Sequence, residues 1–263
     1  MRPFPAACTR ETAARREKIL AMMTRMWRRV ACGVLGIALC GSTVARSQPA
    51  QPPDSAAVIR GIDAAVEARV DNVLEFTDIE HYAVFRGKDQ THPVAEMTVK
   101  DSYRKGIGKT YTLLSQSGSG IIFRFGLKPL LDDERILNEP GNVSRSWFNS
   151  ANYRITPKLG GIEGLNGRDC IAAAVTPRHK APNMIDGTIW IDAKNYSLVK
   201  ILGVASKSPS AFAGTTQMMR EYVQIDGFPM ATHARAESSS LFFGRTVVTI
   251  DYSDYHLKIK PPQ

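Results

Sequence analysis

Apolar and polar residues alternate with a period of two along most of the chain after Phe76. This pattern is typical of β-strands that bury one face and leave the other in solvent. Short polar or glycine-bearing turns separate the alternating runs, so neighbouring strands must be antiparallel, because a parallel crossover needs about a dozen residues or more. The pattern predicts strands near 77–86, 93–103, 109–116, 119–126, 152–159, 167–176, 186–192, 197–206, 216–226, 229–238 and 244–256.

Two segments depart from the strand period. Between Ser55 and Leu74 the apolar residues recur at helical spacing, which predicts a long N-terminal helix with Asp54 or Ser55 as its N-cap. Residues 127–149 are too long for a hairpin turn, and Pro129 stands where a helix could begin, so we expect one or two short helices there. The predicted fold class is mostly β with helices (α+β), in which a long antiparallel sheet curls and the helices pack on its concave side.

The basic charge of the chain is concentrated at its N-terminus. The whole sequence has a net charge of +9, but residues 1–47 contain nine of the 34 basic residues and only two of the 25 acidic ones. The remainder therefore has a net charge of only +2. This distribution argues against a nucleic-acid-binding face.

The N-terminal segment has the three parts of an export signal. Arg25, Arg28 and Arg29 precede the uncharged run 30–39, and small residues at 43–45 provide a cleavage site. The apolar run is short for a membrane span. We therefore predict a signal peptide over residues 1–47 with a long basic region, cleaved on export to the periplasm. An uncleaved anchor and a start at an internal methionine stay open.

The remaining boundaries follow from composition. Residues 48–54 are a Pro-rich linker, residues 55–257 form one domain and residues 258–263 are a C-terminal tail. Cleavage would remove every cysteine except Cys170, so the mature chain could form no internal disulfide. Lipid attachment at Cys40 is an alternative, although Leu39 before it fits a lipobox poorly. In its strand-like surroundings Cys170 is predicted to be a buried, inert thiol.

Catalytic signatures do not stand out. The five histidines show no spacing that would place two of them together as metal ligands. The acidic residues are scattered, many of them in predicted turns, and no nucleophile motif is present. The sequence thus predicts no catalytic residue, no metal and no cofactor, and so not an enzyme. A hydrolase site assembled from distant strands stays open.

Two motifs stand out in the C-terminal half: the hairpin that joins Gly187-Thr-Ile-Trp-Ile-Asp192 to Leu198-Val-Lys200, and the turn Ile225-Asp-Gly-Phe-Pro229. Through these motifs the chain resembles the LolA-like superfamily of outer-membrane lipoprotein-sorting proteins. The resemblance covers roughly residues 55–257. It implies a half-open antiparallel barrel with an N-terminal helix and a helical lid, and binding of lipids or lipoprotein acyl chains in the periplasm without catalysis. The cargo stays open between lipoprotein, glycolipid and free lipid.

That resemblance also implies partners and a site. We expect a monomer that binds a lipid or an acylated lipoprotein, exchanges it with envelope membrane proteins as donor and acceptor, and binds no nucleic acid. An envelope sensor or scaffold that binds a protein partner is the alternative. The apolar cavity is predicted to be lined by strand residues in period-two register and by two aromatic residues of the insert: Met97, Val99, Leu113, Ile121, Phe123, Trp147, Phe148, Ile189, Ile191, Ile201, Val248 and Ile250.

Overall fold

The computed structural model describes residues 54–158, 162–181, 183–207, 214–240 and 244–261. These residues form one large antiparallel sheet with helices. The predicted signal peptide at 1–47 and most of the predicted linker lie outside the described residues. Within the described ranges, no helix is both long enough and apolar enough to cross a membrane.

The sheet contains all of the described strands. Its spatial order is β3-β2-β1-β11-β10-β9-β8-β7-β6-β4, and β5 also pairs with β6. Because β3 and β4 stand at opposite ends of this order, the sheet is open, which confirms the predicted antiparallel sheet with helices. The strands are β1 Val73–Arg86, β2 Ala95–Arg104, β3 Gly108–Gly118, β4 Tyr153–Pro157, β5 Glu163–Leu165, β6 Arg168–Pro177, β7 Ile185–Asp192, β8 Leu198–Ala205, β9 Thr216–Ile225, β10 Phe228–Ser240 and β11 Gly244–Ile259.

The predicted N-terminal helix is present as α1, Ser55–Asn72. The insert after β3 is also helical, as predicted, but it begins earlier than expected. A turn of helix α2, Gly120–Ile122, continues through a π-helical stretch, Phe123–Leu127, into α3, Lys128–Leu137, and a short 3-10 helix, Val143–Ser146, follows. We call residues 120–137 the helical segment.

One predicted strand, 119–126, is therefore wrong. Its alternation of small and apolar residues is compatible with a strand, but Gly118 has a positive φ of 85° that ends β3. Ser119 then caps the helix, because its hydroxyl oxygen accepts a hydrogen bond from the Ile122 backbone N–H at 3.4 Å. Phe123, which was expected on a strand, consequently lies in the π-helical stretch.

Two separate apolar clusters pack against the sheet. In the first core, Val58 and Ile62 of α1 cover buried residues of β4, β6, β7 and β8. In the second core, Leu127 and Leu131 of the helical segment cover buried residues of β1, β2, β10 and β11. The apolar faces that the alternation predicts are thus buried, and the covering side chains come from the two helical elements.

Close packing at Gly61 shows how tightly α1 is seated. A Cβ atom at this position would lie 2.4 Å from the ring of Tyr196, which belongs to the turn between β7 and β8. That distance is far below van der Waals contact, so only glycine lets the helix approach the aromatic ring this closely. The approach fixes α1 against the hairpin whose sequence motif carries the superfamily resemblance.

Cys170 is fully buried in β6, and burial, followed by the negative charge of Asp192, raises the pKa of its thiol. We expect Cys170→Ser to leave ligand binding unchanged and iodoacetamide to label the native thiol far more slowly than the denatured one, because the thiolate is the reactive form. Mass spectrometry of labelled protein would measure both rates. Equal labelling rates in native and denatured protein would contradict this expectation.

Candidate functional site

Exposed apolar side chains are concentrated at one end of the sheet. Most of the large apolar residues that are more than one third exposed lie between residues 107 and 136, on the edge strand β3, the turn before it and the helical segment after it. Ile121 and Phe125 are the most exposed, at 73% and 71%. We call this set the apolar face; it consists of Ile107, Leu113, Leu114, Ile121, Phe125, Leu130 and Ile136. Soluble monomers rarely leave large apolar patches in water unless the patch binds something.

The helical segment is fastened to the sheet by both apolar and polar contacts. Leu127 and Leu131 are buried in the second core. The Tyr111 hydroxyl on β3 donates a hydrogen bond to Asp132 Oδ1 at 2.7 Å, and Lys109 Nζ donates one to Glu134 Oε1 at 2.8 Å. The segment therefore presents one side to the sheet and leaves the apolar residues on its other side exposed.

Lys109 lies at the centre of a buried group of carboxylates. Its Nζ atom is 3.0 Å from Glu80 Oε1, 2.9 Å from Asp101 Oδ2 and 2.8 Å from Glu134 Oε1. Asp78 belongs to the same group, because its carboxylate lies within 4.8 Å of ligand atoms of Glu80 and Asp101. We call Asp78, Glu80, Asp101 and Glu134 the acidic cluster. The first three are almost completely buried, and Glu134 is partly exposed.

Strand register explains how the acidic cluster forms. Asp78 and Asp101 are direct partners across β1 and β2, and Glu80 follows Asp78 by two residues and so lies on the same face. Tyr82 is the next residue of β1 on that face, and its hydroxyl donates a short hydrogen bond to Glu80 Oε2. The cluster is therefore part of the inner face of the sheet, directly beside the second core.

Burial and mutual repulsion disfavour full ionisation of the cluster. Burial, together with the neighbouring Glu80, raises the pKa of Asp78 to about 8. Burial also raises the pKa values of Glu80 and Asp101, although Lys109 opposes the shift. For Glu134 burial acts in the same direction, but the positive charges of Lys109 and Arg220 outweigh it and lower the pKa. The pKa of Lys109 lies well above its usual value, because the carboxylates outweigh its burial.

The structure leaves little empty space at this junction. A cavity of about 10 Å³ lies between the helical segment and the sheet, with Glu80, Asp101, Lys109, Tyr111, Leu131, Glu134 and Arg135 around it. A volume of this size holds about one water molecule. It is polar and far too small for an acyl chain.

The residues predicted to line one apolar cavity fall into two packed groups. Met97, Val99 and Ile250 are buried in the second core, where Phe123 and Val248 pack against them. Ile189, Ile191 and Ile201 are buried in the first core, with Phe148 beside them. The strand residues of both groups do face inward, but the side chains of α1 and the helical segment already contact them.

Three predicted lining residues lie outside both groups. Leu113 on β3 and Ile121 on α2 are exposed and belong to the apolar face, while Trp147 is half-buried after the 3-10 helix. The structure therefore does not bring the twelve residues together around one cavity. Leu113 lies past Lys109 and Tyr111, the β3 residues that contact the helical segment, on a stretch of this edge strand that is exposed.

Sequence reasoning missed the acidic cluster. The sequence does contain a signal for it: Asp78, Glu80 and Tyr82 occupy alternate positions of β1 and so share one face of the strand. Val84, the next residue on that face, is buried. Carboxylates at inward positions of a predicted strand must be paired or protonated if the strand is buried. Alternation of apolar residues alone does not reveal carboxylates on the inner face of a strand.

Comparison with known proteins gives fold neighbours of low similarity. No protein-family model matches the chain, and no curated protein matches it. A LolA superfamily protein from Nitrosomonas europaea is 13% identical with a TM-score of 0.40, covering 80% of this chain and 96% of that one. A putative outer membrane lipoprotein-sorting protein domain from Vibrio parahaemolyticus is 15% identical with a TM-score of 0.43, covering 76% and 93%. A DUF1329 family protein from Desulfovibrio piger is 15% identical with a TM-score of 0.39, covering 78% and 94%.

The names of the first two structures agree with the resemblance drawn from the sequence motifs. All three TM-scores are below 0.5, and no identity exceeds 15%. Similarity at this level transfers no function from those proteins to this chain. Function is therefore inferred from the side chains of the apolar face and the acidic cluster.

Proposed function

We propose that this protein binds the acyl chains of lipids or lipoproteins in the periplasm, without catalysis. The observation that carries the proposal is the apolar face, the exposed large side chains of the edge strand β3, of the turn before it and of the helical segment that follows it. Removing an acyl chain from water requires apolar surface and no reactive group. The predicted export signal at residues 1–47 is the basis for the periplasmic location.

The energy available from such a surface is sufficient for binding. Burial of one methylene group stabilises a complex by roughly 0.8 kcal/mol, so a chain of about fifteen carbons has on the order of 10 kcal/mol available before association costs. In this structure Leu127 and Leu131 of the helical segment occupy the second core. Binding therefore starts on the exposed apolar face, and deeper insertion requires Leu127 and Leu131 to move away from the sheet.

Binding of a fluorescent fatty acid to the purified chain tests this proposal. Saturable binding is expected, and Ile121→Glu and Phe125→Glu should each weaken it at least tenfold, because a carboxylate would replace an exposed apolar contact without disturbing a core. Leu202→Glu is the matched control, since Leu202 is also an exposed apolar residue but lies on β8. No saturable binding, or equal losses in all three variants, would contradict the proposal.

A second candidate is an envelope scaffold or sensor that uses the apolar face to bind a protein partner. The filled cores favour it, because a scaffold has no need of an internal cavity. The same variants separate the two candidates. The scaffold candidate predicts that the fatty acid does not bind and that the chain pulls down a specific envelope protein. Phe125→Glu should abolish this pull-down, and Leu202→Glu should not.

A further inference from the structure

We propose that Asp78, Glu80 and Asp101 form a binding site for a divalent cation that prefers oxygen ligands, in particular Ca²⁺. Their ligand atoms lie within 4.8 Å of one another. Ca²⁺ binds protein oxygens at about 2.3–2.6 Å, so two oxygens on the same ion are at most about 5 Å apart. One ion can therefore contact all three carboxylates if the Lys109 ammonium, which lies 3.0 Å from Glu80 Oε1 and 2.9 Å from Asp101 Oδ2, moves away from them toward Glu134.

An unsatisfied oxygen atom points independently to a missing ligand. Asp78 is 2% exposed, and its Oδ1 atom makes no hydrogen bond among the described residues. A buried carboxylate oxygen without a partner is costly, because it has lost its hydration and gained nothing in return. Its neighbours in the cluster, Glu80 and Asp101, are acceptors as well when ionised, so a cation fits this position better than another acceptor would.

The net charge around the site is negative and favours binding of a cation. The acidic cluster contains four carboxylates, and Lys109 is the cation in direct contact with three of them. The positive charge of Arg220 also acts on Glu134. A divalent cation among Asp78, Glu80 and Asp101 would offset most of the remaining negative charge, while Lys109 keeps its contact with Glu134 at 2.8 Å.

The chemistry of the ligands selects the type of metal. The site offers carboxylates alone, with neither histidine nor cysteine among the residues of the candidate cluster. Hard cations such as Ca²⁺ prefer such a set, whereas Zn²⁺ usually binds nitrogen or sulfur ligands. Ca²⁺ also tolerates irregular geometry better than Mg²⁺, which demands a near-ideal octahedron. The two neighbouring strands hold the three carboxylates in place before any ion arrives.

Isothermal titration of the chelator-treated chain with CaCl₂, MgCl₂ and ZnCl₂ tests the proposal. One Ca²⁺ per chain should bind with a Kd on the order of 10⁻⁴–10⁻³ M or tighter, which is typical of extracellular modules. Ca²⁺ should also raise the midpoint of thermal unfolding, since it binds only the folded site. Tb³⁺ supplies a second readout, because nearby tyrosines such as Tyr82 would sensitise its luminescence and Ca²⁺ would quench the signal by displacement.

The variants decide where the ion binds. Asp78→Asn and Asp101→Asn should each weaken Ca²⁺ binding at least tenfold, and Glu80→Gln provides a third test if either variant fails to fold by circular dichroism. Asp186→Asn is the control, because Asp186 is an exposed carboxylate on β7. The absence of Ca²⁺ binding at about 10 mM, undiminished binding in the cluster variants, or preference for Mg²⁺ or Zn²⁺ would overturn the proposal.

Discussion

Replacing Lys109 with methionine is expected to lower the free energy of unfolding by about 3–5 kcal/mol at pH 7, as is typical when one partner of a buried ion pair is removed. Lys109 Nζ lies 2.8–3.0 Å from three carboxylates. Methionine has a similar length but no charge, so Glu80 and Asp101 would remain buried, and Glu134 partly buried, without their cation. Urea denaturation in a chelator-containing buffer measures the change.

Lys200→Met is the matched control for this experiment. Lys200 Nζ lies 2.9 Å from Glu221 Oε1, a distance similar to those at Lys109, but both side chains are partly exposed. Removal of such a solvent-screened pair is expected to cost less than about 1 kcal/mol. Adding Glu80→Gln to Lys109→Met should recover part of the lost stability, because it removes one of the uncompensated carboxylates. Equal losses of stability in Lys109→Met and Lys200→Met would show that burial of the acidic cluster does not increase the cost of removing its cation.

The period-two alternation predicts the sheet well where an inner face is covered. Met97, Ile189, Ile191 and Ile201 are buried, because their strands pack against the helical segment or α1. The alternation fails at 119–126, where Ser119 begins a helix. A short stretch of small and apolar residues fits either structure, and the positive φ of Gly118 that favours the helix is a property of the folded backbone.

The functional surface is harder to predict from the sequence than the sheet is. Whether the inner face is empty depends on how the volumes of α1 and the helical segment fill it, and this is a tertiary property that alternation does not report. Likewise, Leu113 and Leu114 are adjacent apolar residues on the edge strand β3, and both are exposed because they lie past Lys109 and Tyr111, where the helical segment contacts this strand. The position of a strand within the sheet order thus decides whether its apolar residues are core or surface.

The stability of the metal-free protein is expected to fall as the pH rises from about 5 to 8.5, and Asp78 should cause much of the decrease. Its pKa is about 8 in the folded protein and near 3.8 in the unfolded chain, so the folded state binds more protons between these values. The free energy of unfolding then decreases with rising pH by up to about 1.4 kcal/mol per pH unit for this one group. Below about pH 3 Asp78 is protonated in both states, and the dependence of stability on this group disappears.

Asp78→Asn should remove this decrease, because asparagine has nearly the shape of a protonated aspartate and cannot ionise. The variant is expected to match the parent protein below about pH 3, where Asp78 is protonated in both states, and to exceed it by a margin that grows with pH to on the order of 5 kcal/mol at pH 8.5. Urea denaturation at several pH values measures the effect, with a chelator present so that no divalent cation competes with the proton. Asp186→Asn, at an exposed position on β7, should keep the parental dependence. If Asp78→Asn and the parent lose stability in parallel as the pH rises, the proton is bound elsewhere in the acidic cluster.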